Sequence, residues 1–162
     1  MTDIQRVHPD QWPTLRALRL RALADSPDSF GSTVATASLI DEAEWRRRIE
    51  HDAYFMAWPA RVDDQTAPVG LAAGYLATAD APPELISMWV APAVRGIGVA
   101  SDLVGHVSDW ARRIGASELM LWVVEDNPRA IGFYRRLGFR ATGLTEVMQR
   151  RGVRELQMRL PL

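Results

Sequence analysis

The sequence of 162 residues contains no cysteine, which excludes a disulfide bond, a cysteine nucleophile and a thiolate metal site. It also contains no lysine, so its 19 basic side chains are all arginine. Any contact with a phosphate group must therefore come from a guanidinium or from backbone N–H groups. We expect a protein of a reducing compartment that holds no metal.

Long apolar runs are also missing. No run approaches the roughly 20 residues of a membrane span, and the opening MTDIQRVHPD lacks an apolar signal region. The formal net charge is −1, so no overall charge draws the chain to nucleic acid or to an anionic membrane. We therefore expect a cytoplasmic protein without a nucleic-acid or membrane partner. The sequence leaves the oligomeric state open, a homodimer included.

Apolar periodicity and capping residues predict helices at residues 8–27, 40–51, 100–114 and 127–138. Strands are predicted at 3–8, 53–62, 67–79, 84–90, 118–124, 139–145 and 154–160, with a turn at 63–67. Asp41 and Glu44 have the spacing of a capping box. The third helix has a predicted buried stripe, which consists of Val99, Leu103, Val107, Ala111 and Ile114. The pattern indicates an α/β or α+β domain over residues 1–162, with a βαβ unit in the middle.

The segment VAPAVRGIGVASDL, residues 90–103, places an arginine and two glycines at the start of a helix. Glycines allow several N–H groups to converge on one anion, and a helix N-terminus favours negative charge. A Walker A loop is excluded because it needs a lysine. The spacing of Gly96 and Gly98 is close to that of a dinucleotide loop, with Glu125 and Asp126 as ribose ligands. However, APAVR separates the strand from the glycines, and the second mononucleotide half is missing. A turn without a ligand is the remaining alternative.

The pattern R/Q-x-x-G-x-G/A is matched by Arg95, Gly98 and Ala100. In order along the chain come ELISMWV, RGIGVA and NPRAIGFYRRLGF, preceded by LRLRALADSPDSFGST. Together these segments resemble the GCN5-related N-acetyltransferase (GNAT) superfamily over nearly the whole chain. The resemblance implies a mixed, mostly antiparallel sheet of about seven strands flanked by about four helices. It also implies direct transfer of an acetyl group from acetyl-CoA to a primary amine.

In that superfamily the glycine loop holds the diphosphate of acetyl-CoA, and the preceding strand binds the pantetheine arm. The resemblance assigns the diphosphate to Arg95, Gly96, Ile97, Gly98, Val99 and Ala100. It assigns the pantetheine amides to the backbone of Met88, Trp89 and Val90. Asn127, Ala130 and Tyr134 share one helical face because they are spaced i, i+3, i+7, and we expect this face to contact the donor as well.

Acetyl transfer needs a neutral amine and a protonated leaving thiol, so a base and an acid are expected. Glu84 is the candidate base, directly or through a water, with a charged strand edge as the alternative. Tyr134 is the candidate acid, with simple aromatic packing as the alternative. Ser29, Phe30 and Asp80 are candidates for contacts with the acceptor. His8, His51 and His106 are not expected to be catalytic, and Arg46–Arg48 are expected to form a solvated helix face.

A small-molecule amine is the favoured acceptor, with a protein N-terminus or side chain as the alternative. Because a fold does not fix a function, a non-catalytic acyl-CoA sensor and a nicotinamide-dependent oxidoreductase are retained as rivals.

Overall fold

A single seven-stranded sheet forms the centre of the computed structural model, which describes residues 2–60 and 66–162. The strands lie in the order β1-β2-β3-β4-β5-β7-β6. Their bounds are β1 Thr2–Arg6, β2 Ala53–Pro59, β3 Gly70–Tyr75, β4 Glu84–Val90, β5 Glu118–Val124, β6 Arg140–Met148 and β7 Val153–Pro161. The sheet is mixed, because β4 and β5 are parallel and the other neighbours are antiparallel. The predicted fold class is confirmed.

β4 and β5 are paired at one end and separate towards the other. Within the described residues, their register pair joins Glu84 to Met120, and the Met120 N–H donates to the Pro83 carbonyl over 2.9 Å. No further pair connects these two strands in that part of the chain. The sheet therefore opens at the carboxyl ends of β4 and β5, which is where binding crevices form in α/β sheets.

Within the described residues, five α-helices cover the two faces of the sheet. They are α1 Trp12–Asp25, α2 Val34–Ser38, α3 Glu42–His51, α4 Val99–Arg113 and α5 Pro128–Arg136. Buried residues of α1, α2 and α3 form one core, and those of α4 and α5 form a second core on the opposite face. Gly74 allows α4 to approach β3 closely, because a Cβ there would lie 2.2 Å from the ring of Trp110.

Two local predictions need correction. Ile114 is 46% exposed, because α4 ends at Arg113 and Ile114 leaves the helical phase as the C-cap (ψ 5°). Asp41 does cap α3, by accepting from the Glu44 N–H over 2.9 Å. The Glu44 carboxylate, however, contacts Arg47 and Arg48 instead of completing a capping box.

Helix α2 was not predicted. It has only five residues, and its start depends on the side chain of Thr33, which accepts from the Thr36 N–H. A segment this short offers no apolar periodicity to detect. The turn predicted at residues 63–67 falls mostly outside the described residues. No helix in the described part of the chain is long and apolar enough to cross a membrane.

Candidate active site

A bulge in β4 divides this strand into two halves that border different cavities. Ser87 has a left-handed backbone conformation (φ 57°), and the register with β3 shifts between Leu71 and Ala73. The first half presents Glu84 to one cavity, and the second half presents Trp89 to another. A left-handed conformation is uncommon outside glycine and often marks a functional site.

The loop between β4 and α4 presents backbone N–H groups that no side chain among residues 2–60 and 66–162 caps. Gly96 (φ 84°) and Gly98 (φ 100°) are left-handed, and a Cβ on either would meet no atom within 4 Å. Gly98 is the N-cap of α4, whereas side chains of Asp41 and Asn127 cap α3 and α5. The hydrogen bond from the Asp102 N–H to the Gly98 carbonyl (3.0 Å) starts the helical ladder. The N–H groups before it have no helical partner and are free to bind an anion such as a diphosphate.

A cavity of about 560 Å³ lies between this loop, the end of β4 and α5. All but two of the residues predicted to contact the donor line it, namely Met88, Trp89, Val90, Arg95, Gly96, Gly98, Ala100, Asn127, Ala130 and Tyr134. The two exceptions are Ile97, whose side chain is 70% exposed, and Val99, which is 2% exposed and belongs to the α4 core. Side chains of these two residues point away, so only their backbone N–H groups remain candidates. Ser101 and Arg136 also line the cavity and were not predicted.

Arg95 connects the loop to the rest of the fold. Its Nε donates to the Val90 carbonyl (2.9 Å) and its Nη2 donates to the Asp25 carboxylate (2.6 Å). Asp25 also accepts from Trp89 Nε1 (2.9 Å). These hydrogen bonds, led by the one from Trp89, lower the pKa of Asp25. Because the Nε–Nη2 edge of Arg95 is engaged, a bidentate phosphate contact through that edge would compete with Asp25. Arg95 therefore orders the loop in this structure.

Tyr134 is buried beside the donor cavity. Its ring packs against Phe133 (5.1 Å between centroids) and Phe139 (5.5 Å), as the packing alternative required. Burial raises the pKa of the Tyr134 hydroxyl far above its ordinary value, so this group stays protonated and able to donate. Asn127 caps α5 through Oδ1, which accepts from the Ala130 N–H over 3.1 Å.

A second cavity, of about 760 Å³, borders the first half of β4 and includes Glu84. Burial raises the pKa of the Glu84 carboxyl, and the nearby Glu146 raises it further. Glu146 pairs in register with Glu155, whose pKa is raised by burial and by Glu146 as well. No salt bridge neutralises these three carboxylates among the described residues. A raised pKa brings a glutamate closer to the range of a general base.

The candidate acceptor contacts are not brought together. Ser29 and Phe30 line the donor cavity, whereas Asp80 lines a separate depression with Ala116 and Ser117. This depression shares no lining residue with the cavity that contains Glu84. The predicted solvated arginine face is divided, because Arg46 pairs with Glu42 outside while Arg47 and Arg48 line the Glu84 cavity.

A clasp between distant segments holds the loop that contributes Ser29 and Phe30 to the donor cavity. Arg150, in the turn between β6 and β7, donates to the carbonyls of Pro27 (2.5 Å) and Phe30 (2.6 Å). Arg151 donates to the Asp28 carbonyl over 2.6 Å and pairs with its carboxylate. These contacts join residues more than a hundred positions apart, and the run QRRGV carries no local signal that would have located them.

Family membership follows from comparison with known proteins. A model of the Acetyltransferase (GNAT) family matches residues 12–139. This match covers most of the chain, so the protein belongs to the GNAT acetyltransferase family, as the resemblance implied.

Two curated relatives match parts of the chain. Streptothricin acetyltransferase of Streptomyces lavendulae is 44% identical over 59 residues, which are 36% of this chain and 31% of the relative. The peptidyl-lysine N-acetyltransferase YjaB of Salmonella typhimurium is 36% identical over 90 residues, which are 56% of this chain and 54% of the relative. The chain thus spans about a third to a half of the length of these relatives.

The fold is found in solved acetyltransferases. The structure of YncA from Salmonella typhimurium, solved with acetyl-CoA, superposes with a TM-score of 0.75. The alignment covers 100% of this chain and 94% of that chain at 17% identity. At this identity the similarity shows the fold alone.

Proposed function

We propose that the protein transfers an acetyl group from acetyl-CoA to a primary amine, with a small molecule as the acceptor. The observation that carries this proposal is the meeting of two features in one cavity. The uncapped start of α4, with left-handed Gly96 and Gly98, provides anion-binding N–H groups. The buried, protonated Tyr134 lies on the same cavity, next to the end of β4.

The residues present fit acetyl-CoA. The loop N–H groups at residues 96–101 would hold the diphosphate, and the open space above both glycines leaves room for it. The backbone of Met88, Trp89 and Val90 would bind the pantetheine arm where β4 separates from β5. Acetyl-CoA would supply an activated thioester. The protein would supply the binding contacts and the groups that transfer protons.

Two side chains would handle the protons. Glu84 takes a proton from the incoming ammonium, directly or through a water, because only the neutral amine is a nucleophile. The C–N bond then forms and the C–S bond breaks, while Tyr134 donates a proton to the departing sulfur. Starting from the ammonium, the amine gives up two protons. Glu84 takes the first and passes it to solvent. The second restores the proton that Tyr134 has given to the sulfur.

The two cavities support this division of labour, because Glu84 and Tyr134 line separate cavities that border the two halves of β4. A volume of about 760 Å³ on the Glu84 side is within the range of small-molecule sites. One relative is named for streptothricin and another for peptidyl lysine. We favour the small molecule, because a cavity of this size accommodates one in full.

Calorimetric titration tests the donor. We expect saturable binding of acetyl-CoA and no binding of NAD, because the strand does not run directly into the glycines. Tighter binding of NAD would overturn the proposal. Acetyl-CoA binding without acetylation of any amine in a broad panel would favour the non-catalytic sensor.

A further inference from the structure

The cavity that contains Glu84 has an unusual distribution of charge. Arginines from α1 and α3 line the wall formed by these helices, and Glu84 lines the wall formed by β4. The guanidinium groups are those of Arg19, Arg47 and Arg48. The cavity is therefore polar at both walls, with opposite signs.

Arg19 is a largely buried cation without a carboxylate partner among the described residues. Its Nη2 donates to Ser32 Oγ over 3.2 Å, and its guanidinium stacks on the ring of Phe30 at 4.5 Å. Its Nη1 is buried and meets no acceptor in residues 2–60 and 66–162. Burial lowers the pKa of Arg19, and Arg48 lowers it further. A buried charge without a counterion is costly for a fold.

The surrounding carboxylates compensate the positive charge of this wall only in part. Arg47 and Arg48 both pair with Glu44. Asp52 lines the same cavity, contacts His51 and also raises the pKa of Arg47, so two carboxylates serve three arginines. Trp45, which is 1% exposed, lines the same cavity, and its Nε1 is a second buried donor without an acceptor in the described chain. Buried polar groups are normally paired. Unpaired donors and excess positive charge therefore coincide at this wall.

The opposite wall is complementary. Glu84 is half-buried and has no basic partner in the part of the chain that the structure describes. The charged group that acts on Glu84 is the carboxylate of Glu146. This wall favours an ammonium group, and the Arg19 wall favours an anion.

We propose that the acceptor is a small amine that also carries a free carboxylate, with its ammonium at Glu84 and its carboxylate at the Arg19 wall. An acceptor of this class supplies both missing counterions at once. A polyamine, or a lysine side chain within a peptide, supplies only the cation and leaves Arg19 uncompensated. The inference rests on the proposed function, since it assigns the acceptor of the same site.

Wild-type enzyme provides the first test. Initial rates of thiol release from acetyl-CoA are measured with the twenty standard amino acids, β-alanine and 4-aminobutyrate, each beside its carboxamide. We expect kcat/KM for the preferred acid to exceed that of its carboxamide about ten- to a hundredfold, the effect of one charged contact. The amine of an α-amino carboxamide has a lower pKa than the amine of the acid, so more of it is neutral and reactive. This difference favours the carboxamide and therefore works against the expected result. Equal or faster acetylation of the carboxamides, or of polyamines, would overturn it.

A variant pair provides the second test. Arg19→Gln should abolish most of the preference for the acid over its carboxamide, measured as the ratio of the two kcat/KM values. Arg16→Gln is the matched control, because Arg16 lies one turn earlier on α1, contacts the Ser38 carbonyl and does not line the cavity. This control should keep the wild-type preference. An unchanged preference in folded Arg19→Gln would contradict the assignment of Arg19. If that variant does not fold, the wild-type ratio decides.

Calorimetry separates the two proposals. If the wild-type protein does not bind acetyl-CoA, the proposed function is contradicted. Normal acetyl-CoA binding and acetylation of amines without a carboxylate would contradict only the acceptor class.

Discussion

Asp25 and Arg95 are 70 positions apart in the sequence, and their side chains form an ion pair of 2.6 Å. Through this pair the end of α1 holds the loop that precedes α4. Since Asp25 also accepts from Trp89, one carboxylate fixes both the loop and the end of β4. The glycine loop is therefore positioned by a residue outside the glycine motif.

Asp25→Asn should destabilise the protein at neutral pH by about 1 kcal/mol, the range for charged hydrogen bonds after allowance for solvent screening. The native contacts lower the pKa of Asp25, so its contribution is present above the unfolded pKa of about 3.9. The contribution is lost as the pH falls through the native pKa. Urea unfolding across pH should show the gap to wild type narrowing below about pH 3.9. Asp109→Asn, in an exposed pair on α4, is the control, and a gap independent of pH would contradict this role.

Gly98→Val should weaken acetyl-CoA binding more than Arg95→Ala does. Gly98 is left-handed with φ 100°, so a branched residue would rearrange the backbone and its N–H groups. Arg95 is engaged by Asp25 and Val90, so its loss acts through loop order. Gly105→Val is the control, because Gly105 lies within α4 and a Cβ there also meets open space. Normal calorimetric affinity in folded Gly98→Val would mean that the loop does not hold the diphosphate.

Tyr134→Phe should lower kcat by about 10²–10⁴, the usual contribution of a positioned acid, while acetyl-CoA affinity stays within a few-fold. The ring and its packing on Phe139 are retained, and only the hydroxyl is lost. Because burial raises the pKa of Tyr134, the wild type keeps this proton at pH 9, and the deficit of the variant should persist there. A wild-type kcat in this variant would reduce Tyr134 to a packing role.

Glu84→Gln should reduce the rate most near neutral pH, and its deficit should shrink as the pH rises and more of the amine is already neutral. Burial and Glu146 raise the pKa of Glu84. The reaction requires the ionised carboxylate of Glu84, because only this form accepts a proton. The acidic limb of the wild-type pH–rate profile should therefore lie above the ordinary glutamate pKa of 4.5.

Glu146→Gln isolates the electrostatic part of this shift. Removing its charge lowers the pKa of Glu84, so the acidic limb should move to lower pH with little change in the plateau. Glu50→Gln, on the exposed side of α3, should leave the limb in place. A limb that does not respond to Glu146→Gln would show that another group titrates there.

Local patterns in the sequence were sufficient for the glycine loop, the capped helix at Asn127 and the buried stripe through Ala111. These features depend on spacing within a few turns of chain. The Ile114 position was wrong because the stripe was extended past the helix end, where the C-cap changes the phase. Asp80 follows β3 closely in sequence, but the fold directs it to a different surface.

Contacts between distant segments were beyond the sequence. The Asp25–Arg95 pair, the clasp of Arg150 on the Pro27 carbonyl and the approach of Glu146 to Glu84 all depend on how elements far apart along the chain pack together. The cavity that contains Glu84 and Arg19 was missed for the same reason. Residues of α1, α2, α3 and three strands form it jointly. A single arginine within a helical pattern gives no sign that it will be buried.

The most direct test of the central claim is amine-dependent thiol release from acetyl-CoA by the wild-type protein, with the acetylated product identified by mass spectrometry. We predict that thiol appears only when protein, acetyl-CoA and an acceptor amine are all present, in equal amount to the N-acetylated amine. Tight binding of acetyl-CoA without amine-dependent release, across amines with and without a carboxylate, would contradict the account.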